Sequence, residues 1–183
     1  IVERGTRTSI KRIWTRNTDK SAERGEGTWI SEDIIQAYLR LHALGFAHSF
    51  ETWRNGKLIG GLYGVSIGHM FFGESMYSEE SNASKIAFIH LIEWAKKHNF
   101  GPIDCQIQNP HLKSMGACEI ERDAFMSLLR THLNNGKTLR GRWSLPKDWI
   151  SAGEKQLHSN HYQMFRKMVF SLFTSVQHIS FSR

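Results

Sequence analysis

The chain has only two cysteines, Cys105 and Cys118, in 183 residues. Such sparse thiols exclude a disulfide scaffold and suit a reduced, cytoplasmic setting. No C-x-x-C or H-x-x-x-H pair occurs, so Cys105, His98, His111 and Cys118 lack zinc-site spacing, and neither a metal nor another cofactor is expected. No apolar run reaches the length of a membrane span, and no basic-then-apolar leader opens the sequence. Internal repeats and low-complexity tracts are absent too. Gly73-Glu74-Ser75 is not a G-x-S-x-G elbow, which argues against seryl hydrolase chemistry. No glycine-rich turn opens a helix: the Glu79-Glu80-Ser81-Asn82 stretch is acidic, and a CoA pyrophosphate would be repelled there.

What is present reads as one soluble globular domain. Hydrophobic residues make up 40% of the chain, and both charge signs are mixed through it. The formal net charge of +7 favours an anionic partner such as nucleic acid. Basic residues gather at the two ends, with Arg4, Arg7, Lys11, Arg12 and Arg16 in front and Lys137, Arg140, Arg142 and Lys147 behind. Two solvated ends explain that distribution equally well.

Periodicity sets out the elements. Residues 1–26 show no sustained period and read as an irregular basic lead-in. A helix follows Trp29-Ile30, with Ser31 as N-cap, Glu32 and Asp33 at its positive end, Gly45 as its stop, and Ile34, Tyr38, Leu41 and Leu44 as the apolar stripe. Ala47–Trp53 and Leu58–Ile67 flank Asn55-Gly56, a hairpin signature. Gly68 turns the chain into a third strand, His69–Tyr77, and Gly60, Gly61 and Gly64 imply a bulge or close backbone approach. A second helix runs from Ser81 or Asn82 to His98, with Ala87, Leu91 and Trp94 inward. Beyond Pro102, alternation predicts a strand over Ile103–Gln108, with Ile103, Cys105 and Ile107 on one face and Asp104, Gln106 and Gln108 on the other. A third helix spans Arg122–Leu133, and Tyr162–Val176 reads as a further apolar helix. The layout is mixed α/β, of the α+β kind: a mostly antiparallel sheet flanked by helices.

Glu74 is the first polar residue to question. Alternation puts it on one strand face with Phe72 and Met76, and a carboxylate among apolar neighbours is costly without a partner or a task. Asp104 and Gln106 are the other candidates. Asp104 and Glu74 can also be read as merely satisfying buried backbone groups.

Several blocks occur in order: Gly60-Gly61-Leu62-Tyr63-Gly64-Val65, Phe72-Gly73-Glu74-Ser75-Met76, Asn82-Ala83-Ser84-Lys85, Asp104-Cys105-Gln106 and Ser114-Met115-Gly116-Ala117. In spelling and spacing this series resembles the leucyl/phenylalanyl-tRNA–protein transferases, from about Gly27-Thr28-Trp29-Ile30 to Leu129. The resemblance implies a fold related to the Gcn5-type N-acetyltransferases. It also implies transfer of Leu or Phe, with Met as a further donor, from aminoacyl-tRNA to the N-terminal Arg or Lys of a protein, marking it for degradation. It places catalytic roles on Glu74, Asp104 and Gln106, an aminoacyl pocket on Leu62, Phe71, Met76, Leu91 and Ile103, and adenosine stacking on Trp29. Each apolar member reads equally as ordinary core, and Trp29 as helix packing. The expected partners are Leu-tRNA, Phe-tRNA and the acceptor protein; the expected state is a cytoplasmic monomer with no membrane contact. Two departures stand against the resemblance. The family's N-terminal domain is missing, making residues 1–26 its remnant, and beyond Trp149 the ending is atypical. The expected organisation is therefore a lead-in over 1–26, a catalytic domain over 27–150 and a tail over 151–183. The competing expectation is an inactive remnant that binds RNA weakly or not at all.

Overall fold

The computed structural model describes residues 2–4, 10, 13, 15, 32–134, 136–145 and 169–172. Its backbone is built from β1 (Val2–Arg4), α1 (Glu32–Ala43), β2 (Ala47–Arg54), β3 (Lys57–Ile67), β4 (Met70–Ser78), α2 (Ala83–Lys97), β5 (Ile103–Asp104), α3 (Pro110–Ser114), β6 (Cys118–Ile120), α4 (Arg122–Asn134) and β7 (Val169–Leu172). They form a seven-stranded sheet in the order β1-β2-β3-β4-β5-β7-β6. Its first four strands pair antiparallel and the β4–β5, β5–β7 and β6–β7 pairs are parallel. The mixed sheet flanked by helices is the expected architecture.

The β2–β3 hairpin turns where Asn55 and Gly56 both take positive φ, 49° and 75°, as a two-residue turn of that hand requires. Facing residues of an antiparallel pair share a side, so the register sorts the sheet into two faces. Phe50 opposes Leu62, and Leu62 opposes Met76. That face packs on α2 with Phe71, Ala87, Phe88, Leu91, Ile92 and Trp94. Tyr63, Tyr77 and Ala47 face the other way, joining Leu39 of α1 with Ile10 and Ile13. Close approach to α2 needs glycine on β3: a Cβ at Gly60 would sit 2.6 Å from the Ala83 Cβ and 2.8 Å from its carbonyl carbon.

Four sequence expectations need correction. Val2–Arg4 pairs with β2, and Ile10 and Ile13 are fully buried, so the lead-in contributes to sheet and core. A three-residue strand is too short to show a period. On α1 the buried residue is Leu39, whereas Leu44 lies past the helix end and is 63% exposed. The strand after Pro102 stops at Asp104. Val169–Leu172, expected within a helix, is the strand that joins β5 to β6. A four-residue, mostly apolar segment suits a buried strand as well as a helix turn, and pairing decides between them. Helix α3 and strand β6 were not anticipated. No helix among the described residues is long and apolar enough to cross a membrane.

Candidate active site

Where β3 and β4 run beside the start of α2, a cavity of about 740 Å³ opens between the sheet, α2 and α3. Its deep wall is apolar: Leu62, Phe71, Met76, Phe88, Leu91 and Ile103. All five residues expected to line an aminoacyl pocket border it. Phe88 was missed, although Ser84, Phe88 and Leu91 follow an i, i+4, i+7 stripe on α2 that points it out.

A bulge brings Glu74 to the cavity. Tyr63 opposes Ser75 and Gly64 opposes Gly73, which leaves Glu74 with no partner on β3. The extra residue also shifts the strand's phase. Phe71 and Gly73 line the cavity before it, Met76 and Ser78 after it, and Phe72 does not. The expected shared face of Phe72, Glu74 and Met76 is therefore wrong, because simple alternation was carried through an irregular point. Tyr38 of α1 hydrogen-bonds through its hydroxyl to the Glu74 carboxylate. Its ring meets Tyr63 edge to face, with centroids 5.5 Å apart. Burial, then the Glu74 hydrogen bond and charge, push the Tyr38 phenol well above its ordinary range, and burial with the same charge does so for Tyr63. Both phenols stay protonated, so the Tyr38 hydroxyl is a standing donor to the carboxylate.

Gln106 reaches the cavity through a strained turn. Its φ is +60°, and Ile107 N–H donates to Cys105 O across it at 2.7 Å. A non-glycine residue held there costs about 1–3 kcal/mol and needs outside support. Asp104 supplies part of it, its Oδ1 accepting the Gln106 N–H at 2.8 Å. The Gln106 Nε2 donates to Gly73 O at 2.9 Å, tying the turn to the bulge. Asp104 itself is buried and does not line the cavity; burial raises its carboxyl pKa, and the Gln106 hydrogen bond opposes that rise. The expected separation of Cys105 from Gln106 is also corrected. With the strand ended at Asp104, Cys105, Gln106 and Ile107 all border the cavity. Burial, then nearby Asp104 and Cys118, push the Cys105 thiol up to about 12, far from the reactive thiolate.

The exposed Asn82, Asn109 and His111 and the buried Ser84 also line the cavity. Trp29 lies outside the described residues. Among the described residues no group of three or more His, Cys, Asp or Glu is placed to hold a metal ion.

The sequence profile of the leucyl/phenylalanyl-tRNA protein transferases matches residues 7–130, a stretch that contains every cavity residue named above. The chain belongs to that family. A leucyl/phenylalanyl-tRNA–protein transferase of Desulfatibacillum aliphaticivorans is 50% identical over 141 residues, covering 77% of this chain and 60% of the relative. One from Anaeromyxobacter sp. (strain Fw109-5) is 52% identical over 128 residues, covering 70% and 54%. The chain thus spans little more than half the length of these leucyl/phenylalanyl-tRNA–protein transferases. Among solved structures, a predicted acetyltransferase with acetyl-CoA from Clostridium acetobutylicum aligns at 12% identity and a TM-score of 0.49, over 61% of this chain and 82% of that one. An aminoglycoside acetyltransferase from a soil metagenomic sample aligns at 10% identity and 0.45, over 80% and 95%. Likenesses this distant decide nothing about chemistry.

Proposed function

We propose that the chain transfers leucine or phenylalanine, and methionine as a further donor, from aminoacyl-tRNA to the N-terminal Arg or Lys of a protein. The observation that carries this reading is a single cavity with an apolar inner wall and both Glu74 and Gln106 on its border. An apolar side chain without branching at Cβ, such as that of Leu, Phe or Met, fits such a lining, and Met76 adds an adaptable, polarizable surface. The donor ester is already activated, so the protein has to position two ends and stabilise the charge that develops. The acceptor's α-amine attacks the ester carbonyl, the C–N bond forms, and the C–O bond to the terminal ribose breaks. The amine's proton goes to water or to the departing ribose oxygen.

Glu74 holds the α-ammonium near the ester. Gln106 orients the reacting groups through its amide, and Asp104 is a positioning residue that acts through the Gln106 backbone. Trp29 stacks on the terminal adenosine, contributing roughly 1–3 kcal/mol. The product is a protein marked for degradation, and the enzyme works as a cytoplasmic monomer.

The experiment is transfer of labelled leucine from Leu-tRNA to a peptide with N-terminal Arg, against the same peptide with N-terminal Ala. Label in the first and none in the second supports the reading. No transfer by folded protein that still binds tRNA leaves an RNA-binding remnant in its place.

Gln106 separates backbone from side-chain roles. Gln106→Gly relieves the positive φ and should melt above Gln106→Ala, by the equivalent of about 1 kcal/mol. Both should lower the transfer rate by about 10–10²-fold, with tRNA affinity little changed. A Gln106→Gly variant at full rate would show that only the turn matters.

A further inference from the structure

We propose that the end of the domain where α1, α2 and α4 terminate is a docking surface for the sugar-phosphate backbone of the donor RNA. Arg40, Arg130, Lys137, Arg140 and Arg142 are its phosphate contacts. This rests on the aminoacyl-tRNA reading above.

Three helices end around one turn of the sheet. Gly68 and His69 join β3 to β4. The His69 N–H donates to His132 O near the end of α4 at 3.0 Å, and His69 O accepts from the Gly101 N–H, just past α2, at 2.7 Å. Phe46, just past α1, accepts through its carbonyl from the Ser66 N–H at 2.8 Å. The chain after α4 then crosses this end. Thr138 Oγ1 accepts from the Gly68 N–H at 2.9 Å. Gly141 lies against Gly45 so closely that a Cβ on Gly45 would come within 2.3 Å of the Gly141 nitrogen. The Arg140 guanidinium sits over the Phe46 ring, 4.3 Å from its centroid. The basic residues at 137–142 are therefore built onto the fold rather than trailing from it.

Charge is segregated toward this end. Helix α1 begins with Glu32 and Asp33 and ends with Arg40 and His42, while α4 begins with Asp123 and carries Arg130 and His132 near its end. Glu93, near the end of α2, pairs with Lys96 at 3.0 Å. Glu79 and Glu80 lie past the opposite end of β4 and pair with Lys57 and Arg54. Arg40, Arg130, Lys137, Arg140 and Arg142 are all exposed, and among the described residues none of these five has a carboxylate partner. Cations at helix C-termini ordinarily complement the helix dipole. Three such ends carry only about one and a half negative charges between them, which leaves most of the five unmatched.

An RNA backbone suits this surface better than a small anion or an acidic protein. The cations stand on α1, on α4 and on the segment after it, so they offer several separated points to a repeating charge. Four of the five are arginines, whose planar fork matches phosphate oxygens. The separation from the cavity fits as well. Asn82, immediately before α2, lines the cavity, and the basic surface lies past the other end of that 15-residue helix, about 20 Å away at 1.5 Å per residue. In a tRNA a short single-stranded tail separates the aminoacyl ester from the duplex, and each nucleotide of it spans about 3.4 Å when stacked and more when extended. The ester can thus enter the apolar cavity while duplex phosphates rest on the basic end.

The test titrates the full chain with two non-hydrolysable probes, phenylalanylamino-adenosine and a tRNA ending in the same phenylalanylamino-adenosine. The wild type should bind the tRNA at least about tenfold more tightly at low salt, with a log affinity that falls with log salt by about 0.9 for each duplex phosphate contacted. The triple variant Arg40→Gln, Lys137→Gln, Arg142→Gln should lose most of that advantage and about 2–3 of the salt slope, with nucleoside binding unchanged. Its substitutions leave the Arg140–Phe46 contact in place, and returning the three positions to Lys, Arg and Lys should restore most of the tRNA affinity. Arg122→Gln, at the opposite end of α4, should change neither probe.

Unchanged tRNA affinity and salt slope in the triple variant, with nucleoside binding intact, overturn the surface and leave the donor reading standing. Wild-type binding to poly-glutamate or to phosphatidylserine vesicles as tight as to tRNA, lost in the triple variant, shows a surface for anions in general and overturns its assignment to the donor. Failure of the folded wild type to bind the nucleoside probe overturns the donor reading and this proposal together.

Discussion

Glu74→Gln should cut leucine transfer to an N-terminal Arg peptide by about 10²-fold or more, the loss typical of a positioned catalytic group. The substitution keeps size and shape, and its amide oxygen can still accept from the Tyr38 hydroxyl that binds Glu74 in the native protein. The melting temperature should therefore stay close to the parent's. What disappears is the negative charge that, in the proposed function, attracts the acceptor's ammonium into the bulge between β3 and β4. Tyr38→Phe should show a smaller loss, since it frees the carboxylate from its donor without removing it. Initial rates at saturating donor, set beside thermal melts, check both. A folded Glu74→Gln protein with near-parental rates would remove Glu74 from the chemistry.

Trp143→Ala should cost about 3–5 kcal/mol of stability, as removal of a large buried aromatic does. Trp143 is 5% exposed and lies between two rings, stacked on His48 at a centroid distance of 3.6 Å and on Trp94 at 3.7 Å. His98 extends the column beyond Trp94 at 4.0 Å. The segment after α4 is thereby pinned onto β2 and α2, on the sheet face that also builds the cavity.

The same column sets an acid limit. Burial, and then nearby His42, lower the His48 pKa to about 3 from its ordinary 6.5. Between those values the unfolded chain binds a proton that the folded chain refuses, so stability rises with pH across that window. It is fully present above about pH 6.5 and is lost as pH falls toward 3. Denaturant melts of wild type and His48→Phe at pH 7 and pH 4.5 check this. The wild type should lose stability between the two, and the variant, having no group to titrate there, should lose less.

Local chemistry made much of the fold legible in the sequence. Asn55-Gly56 identifies the hairpin because few other pairs take positive φ twice, and Ala87, Leu91 and Trp94 mark the inward stripe of α2. The cavity's apolar wall was legible too, though through ordered motifs rather than periodicity, since Leu62 or Ile103 alone looks like any core residue. Most of the failures depend on contacts distant in sequence, and the rest on a turn that alternation does not describe. The unpaired position of Glu74 is set by β3. The stop at Asp104 and the turn at Gln106 depend on a carboxylate folding back on its own backbone and a carbonyl supplied by Gly73. Period-2 counting has no term for either. The placement of Val169–Leu172 requires β5 and β6 on both sides of it. The Trp143 column joins β2, α2 and the segment after α4, and leaves no local trace.

The central claim is that this cavity holds the aminoacyl end of a donor, and calorimetric titration of the folded chain with aminoacyl-adenosine amides tests it most directly. Phenylalanyl and leucyl analogues should bind and compete with one another, while an aspartyl analogue should not, because the wall formed by Leu62, Phe71, Phe88, Leu91 and Ile103 offers its carboxylate no partner. Absence of phenylalanyl binding, or equal binding of the aspartyl analogue, would contradict it.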